Sequence, residues 1–227
     1  MVFSSVTQKR RTTKLKNLKL PNRLLRVSRH LESKFNQIQP SQIGDLAHAY
    51  HVGLQLAPDF SEQVEVFTAL QNHNDLSCSC RPGNGVKDPT RILEKAYSSP
   101  VPLDFLSGKI VAISLARVYE IAQEVPKHFT VCGFSDRFLN PQRSGYRDLQ
   151  FQIDLGGQHI AELKIVHQKI NELDEIEHQI YEILRRLNAK LMHDTLNQAE
   201  IKVRENLIAT SLALYNEIWQ DIRKSER

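Results

Sequence analysis

The stretch SGYRDLQFQIDLGGQHIAELKI, residues 144–165, decides the fold. In its first half Leu149, Phe151, Ile153 and Leu155 are apolar, with Gln150, Gln152 and Asp154 between them. Alternation with a period of two marks a half-buried strand. Gly156 and Gly157 supply a turn, and a second strand follows over 159–166. The register between the strands sets where Glu162 points. A two-residue Gly156-Gly157 loop would place that carboxylate among the apolar side chains, at a desolvation cost. A three-residue loop, Gly156-Gly157-Gln158 with a glycine in the left-handed conformation, instead pairs Ala161 with Ile153, Leu163 with Phe151 and Ile165 with Leu149. Glu162 then lies opposite Gln152 on a polar face of the sheet. The second register is the one expected.

Outward from the hairpin, GKIVAISL reads as a buried strand, ARVYEIAQEV as the helix after it and HFTVCGFSD as another strand. CSCRPGNGVKDP reads as a loop. Asp88 is placed to cap a helix through PTRILEKAY, with Pro89 at its first position. From Asn22 to Gln71 the pattern gives two or three helices. The first carries Leu24, Leu25, Val27 and Leu31; the next Ile43, Leu46, Ala47, Tyr50 and Leu54. A third, after Pro58 and the cap candidate Ser61, carries Val64, Phe67 and Leu70. Downstream, Ile170, Leu173, Ile176, Ile180, Leu184, Leu187 and Leu191 recur at threes and fours, an amphipathic helix. A break near His193–Asn197 reverses the chain into a final helix with Leu207, Leu212, Leu214, Ile218 and Trp219. Its periodicity leaves open whether that helix packs on its own sheet or on a second subunit in a homo-oligomer.

Hydrophobic residues make up 41% of the 227, enough to bury a core, and no run approaches the length of a membrane span. The first residues lack the apolar segment of a secretory signal. Three cysteines, an odd number, fit reduced thiols and a cytoplasmic location. Cys78 and Cys80, with His73 nearby, lack the second pair that a zinc site needs. Nine of the 30 Lys and Arg residues fall within 1–31 and none of the 26 acids does, so the rest of the chain is acidic by five charges. Such a basic arm suits a polyanion such as tRNA, is simply a solvated tail, or, being acid-free and hydroxyl-bearing, is an organelle transit peptide. The expected division is a basic arm over 1–21, a helical segment over 22–76, a central domain over 77–190 and a C-terminal helix over 191–227.

Lys87, Arg91 and Lys95, four residues apart, are expected on one helical face, as a phosphate clamp or as a solvated surface. Asp104 precedes a predicted strand. Glu162 is the acid of the neighbouring one, so the pair are candidates to share a metal ion.

Taken in order, VKDPTRILEKAY, LDFLSGKIVAIS, DRFLNPQRSGYRDLQFQI, HIAELKI and HQIYEILRR resemble the RelA/SpoT-type alarmone synthetase domain, over roughly residues 80–186. The resemblance is strongest to the divergent branch carrying GYRD. It implies an α+β fold: a mixed β-sheet of about five strands, nucleotidyltransferase-like, with N-terminal helices and a C-terminal helical pair. It also implies transfer of the β,γ-diphosphate of ATP to the ribose 3′-hydroxyl of a guanosine nucleotide, the ppGpp-forming reaction of the stringent response, with magnesium. Toxin-like members use adenosine nucleotides or the 3′ end of tRNA instead. A catalytically silent domain that binds RNA or nucleotide is a further alternative. By the resemblance, Lys87, Arg91, Lys95 and Lys109 would bind the ATP phosphates, and Asp104 with Glu162 would hold the metal or orient the hydroxyl. Tyr146 would stack on the acceptor base, with Arg147 and Lys164 on the acceptor side. His178 and Tyr181 would support Glu162 from behind, and Arg185 would offer a phosphate contact. Three departures from the family pattern stand out, the first that the glycine after Asp104 is displaced by one, with Ser107 in its place. Lys109 replaces an arginine, losing its bidentate fork, and Lys164 stands where a neutral amide is usual.

Overall fold

The computed structural model describes residues 20–35, 46–71, 75–96, 105–157 and 159–226. Its elements in chain order are α1 (Asn22–Phe35), α2 (Leu46–Leu70), β1 (Leu76–Cys80), α3 (Pro89–Ala96), β2 (Leu106–Ala112) and α4 (Leu115–His128). There follow β3 (Val131–Asp136), β4 (Leu149–Asp154), β5 (Ile160–His167), α5 (Gln168–Met192) and α6 (Gln198–Ser225). The strands form one mixed sheet in the order β1-β2-β5-β4-β3. Only β2 and β5 pair in parallel; the other neighbours are antiparallel. This is the α+β arrangement expected, with helices before the sheet and a helical pair after it.

The β4–β5 hairpin adopts the three-residue loop. Leu149 pairs with Ile165, Phe151 with Leu163, Ile153 with Ala161 and Gln152 with Glu162. The Leu155 amide donates to the His159 carbonyl at 2.8 Å, closing the loop, and Gly157 has the left-handed φ of 56°. One face of the sheet is therefore apolar. Phe151, Leu163, Ile165 and Ile110 are sealed on it beneath helices. Helix α1 lies on β3, α2 on β1 and β2, and α4 on β2 and β5. A side chain at Gly108 would meet Val64 of α2 at 3.2 Å, which shows how closely that helix sits.

Four expectations change. The segments on either side of Pro58 are a single helix, α2. Its buried stripe of Ala49, Gly53, Ala57, Phe60, Val64 and Phe67 runs through the proline at threes and fours. Packing along that stripe outweighs the one helical hydrogen bond that Pro58 removes. Cys78–Cys80, read as the start of a loop, belongs to the edge strand β1, because β2 offers it a free hydrogen-bonding edge. Its two cysteines, Cys78 and Cys80, are free thiols, as is Cys132. In α5, Ile176 is 74% exposed, while the buried set is Ile170, Glu177, Leu184 and Leu187. In α6, Leu212 is exposed, and Ser211, Tyr215 and Ile222 are buried. A hydrogen bond from the Ser211 hydroxyl to Glu177 at the helix–helix contact explains both shifts, because a partnered polar pair occupies positions that apolar periodicity assigns to leucine.

The C-terminus is tied to the body. Glu226 accepts the Leu115 amide on both carboxylate oxygens and faces His167 Nε2 at 3.0 Å. Among the described residues no helix is long and apolar enough to cross a membrane.

Candidate active-site cleft

Strand alternation puts Ser107 and Lys109 of β2, Glu162 and Lys164 of β5, and Gln150 of β4 on the face opposite the apolar one. Ser107 pairs with Glu162, Lys109 with Lys164 and Gln150 with Lys164. All of these but Gln150 line the floor of a cleft of about 710 Å³. Arg81, Lys87 and Arg91 border it near β1 and α3, while Arg137, Gln142, Ser144 and Tyr146 come from the β3–β4 connection. Residues of α5 between Asp174 and Met192 and Tyr215 of α6 close the remaining wall. Seven cations (Arg81, Lys87, Arg91, Lys109, Arg137, Lys164 and Arg185) against three acids (Glu162, Asp174 and Glu177) line it among the described residues. Such a focused positive potential favours a polyanionic ligand. Lys109 and Lys164 are direct cross-strand neighbours, a like-charge pair that is unfavourable unless anions lie between or beside them.

Glu162 is held from two sides. Gln150 Nε2 donates to Oε1, and Lys164 Nζ stands 2.9 Å from Oε2. Beneath them Asp148 is 0% exposed, with Arg137 NH1 3.3 Å from each carboxylate oxygen. Burial pushes the Asp148 carboxyl up to about 6, although Arg137 and Lys164 pull it down. Burial would lower the Lys164 ammonium, but Glu162 and then Asp148 outweigh it and leave its pKa raised. Lys164 is therefore a fixed positive charge.

Lys87, Arg91, Lys109, Tyr146, Glu162 and Lys164 are brought together as expected. Lys87, however, is not on the helical face with Arg91. Asp88 Oδ1 accepts the Thr90 amide at 2.8 Å and Pro89 opens α3, so Lys87 precedes the cap. Its amide instead donates to the Phe105 carbonyl at the entrance to β2. The Lys95 side chain and Asp104 lie outside the described residues. Tyr146 is only 7% exposed and stands perpendicular to Tyr215, at 88°. Gly145 before it has φ 90°, and a Cβ there would meet Tyr215 Cβ at 3.0 Å, so only glycine lets this loop reach α6.

Arg147 is not brought into the cleft. Tyr146 and Asp148 take the cleft side, so alternation turns Arg147 away. Its NH1 donates to the Phe138 carbonyl at 3.0 Å and its guanidinium lies 4.7 Å from the Trp219 ring. Burial, aided by Arg223, pushes it down to about 10. Residue 147 fastens α6 and does not face the cleft.

His178 and Tyr181 line the cleft themselves, stacked at 22°, with Tyr181 48% exposed. Glu182, without a role in the sequence reading, joins α3 to α5 by accepting from Arg91 and, at 2.8 Å, from Arg185. Burial would raise the Glu182 carboxyl, yet Arg185 and Arg91 hold it below its ordinary range. Arg137, Asp148, Asp174 and Glu177 were likewise missed. For Asp148 a signal existed, since it shares parity with Gln150 and Gln152.

Both oxygens of Glu162 are engaged, one by Gln150 and one by the Lys164 ammonium, while Asp104, the other expected ligand, lies outside the described residues. Among the described residues no three His, Cys, Asp or Glu side chains gather to hold a metal.

No family model and no curated protein matches the chain. Solved structures do. The small alarmone synthetase 2 from Bacillus subtilis aligns at 18% identity and TM-score 0.49, over 80% of this chain and 99% of that one. A GTP pyrophosphokinase family protein from Streptococcus pneumoniae aligns at 17% identity and TM-score 0.48, over 76% and 90%. A complex of the type VI effector Tas1 with its immunity protein gives 13% identity and TM-score 0.48, over 77% and 97%.

Proposed function

We propose that the chain transfers the β,γ-diphosphate of ATP to the ribose 3′-hydroxyl of a guanosine nucleotide. The observation that carries this reading is a hydrogen-bonded carboxylate, Glu162, on the floor of a cleft that seven cations line among the described residues. The reaction needs little covalent chemistry from the protein; it needs positioning and charge stabilisation. The acceptor 3′-oxygen attacks the β-phosphorus of ATP, a new oxygen–phosphorus bond forms, and the bond from that phosphorus to the α,β-bridging oxygen breaks. AMP leaves with that oxygen. Lys87, Arg91 and Lys109 are placed to spread the charge of the triphosphate and of the departing AMP. Arg91 and Arg185 are pre-set by Glu182, so they lose little freedom on binding. Glu162 accepts the hydrogen bond of the attacking hydroxyl and orients it, and takes up its proton as the new bond forms.

The test is incubation of the purified chain with ATP labelled in its β,γ-diphosphate, magnesium, and in turn GDP, GTP, ATP or bulk tRNA. Label in a guanosine nucleotide is the expected outcome. Label in an adenosine nucleotide or in tRNA would move the acceptor to the toxin-like alternatives. Absence of transfer to every acceptor would overturn the enzymatic reading in favour of a silent binding domain.

A further inference from the structure

Proposed transfer leaves one feature of the cleft floor unexplained, a cation set directly against the carboxylate it needs. Lys164 Nζ lies 2.9 Å from Glu162 Oε2, and Gln150 occupies Oε1. The ammonium is backed by the sealed Asp148 carboxylate and its partner Arg137, so it is one member of a fixed row of charges and not a free surface lysine. Glu162 and Lys164 are two residues apart on one strand, a spacing that keeps their side chains on the same face. An ion arriving at Glu162 would meet this tethered charge at contact distance.

We infer that Lys164 is a positioning residue that supplies at Glu162 the positive charge which the family resemblance assigns to a divalent ion. Glu162 is then reserved for the acceptor hydroxyl, and an ion that accompanies the triphosphate is held elsewhere in the cleft. The substitution of lysine for a neutral amide is thereby given a physical role: it fixes the carboxylate with a cation that cannot dissociate.

Resting on the transferase assignment of the cleft, this role is nevertheless read out by ion binding without nucleotide or turnover. Full-length protein is titrated with Mn2+, and free ion is followed by electron paramagnetic resonance. Glu162→Gln is expected to bind Mn2+ like the parent chain. Lys164→Gln, by freeing the carboxylate, should bind it about tenfold more tightly or better, and the double variant should lose that gain. Lys164→Arg, which keeps the charge, should behave like the parent. A tenfold weakening in Glu162→Gln alone would overturn the inference, because Glu162 would then hold the ion with Lys164 in place. An unchanged affinity in Lys164→Gln would overturn it equally. If the ion titrations come out as expected while no acceptor takes label, the lysine pairing stands and the transferase reading falls.

Discussion

On the helix-covered face of the sheet Phe151, Leu163 and Ile165 are sealed from water, whereas one residue along β5 Glu162 and Lys164 stand in the cleft, with Gln150 of β4 on Glu162. Both faces come from the same alternating strands, yet their energetics have little in common. The apolar face stabilises by removing hydrocarbon from water and by close packing. The polar face holds charges in partial burial, where attraction within the row Arg137, Asp148, Lys164 and Glu162 competes with lost hydration. Stability and chemistry are thus separated by a single residue step, and substitutions on the two faces should report on different properties.

The largest stability change is expected on the packed face. Leu163→Ala should lower the unfolding free energy by about 3 kcal/mol, read from urea melts, because its neighbours can only partly close the cavity. A loss below about 1 kcal/mol would mean that the face is less tightly packed than its zero exposure indicates.

A smaller change, and one that depends on pH, is expected from Asp148. Its folded pKa is raised, from 3.8 to about 6, so over that interval the unfolded chain releases its proton first. Stability contributed by the protonated form is complete below 3.8 and is lost as pH rises through about 6. Asp148→Asn should flatten that slope in urea melts taken across the interval. A slope that survives in the variant would assign it to another group.

Arg147 gives the smallest effect and the sharpest contrast with Lys164. Arg147→Ala should cost about 1–2 kcal/mol of stability through the lost Phe138 carbonyl bond and Trp219 contact, with the KM for acceptor unchanged. A raised acceptor KM at unchanged stability would return residue 147 to the acceptor side.

The hairpin was legible in the sequence because two physical signals agreed. Alternation named the buried parity, and Gly156-Gly157 with Gln158 set a loop length that keeps Glu162 off the apolar face. The polar floor followed from the same register. What failed were inferences that counted spacing across a boundary. Lys87 and Arg91 are four apart, but the Asp88 cap lies between them. Pro58 looked like a boundary and is not one, because the stripe from Ala49 to Phe67 continues through it. Other partnerships depend wholly on tertiary contact: Glu182 meets Arg91 across 91 positions of sequence, and Ser211 meets Glu177 across 34. No periodicity within one helix announces them. Arg147 shows the converse. The motif around it marked a site, and backbone alternation then sent that one side chain to the other side.

The central claim, that the polar face is where diphosphate transfer happens, is tested most directly by Glu162→Gln. Its rate of label transfer from ATP to a guanosine nucleotide is to be measured beside its urea melt. The account predicts a rate lower by about a thousandfold with the melt unchanged, since the amide keeps the shape but cannot take the hydroxyl proton. Transfer at the parent rate by a fully folded Glu162→Gln protein would contradict it.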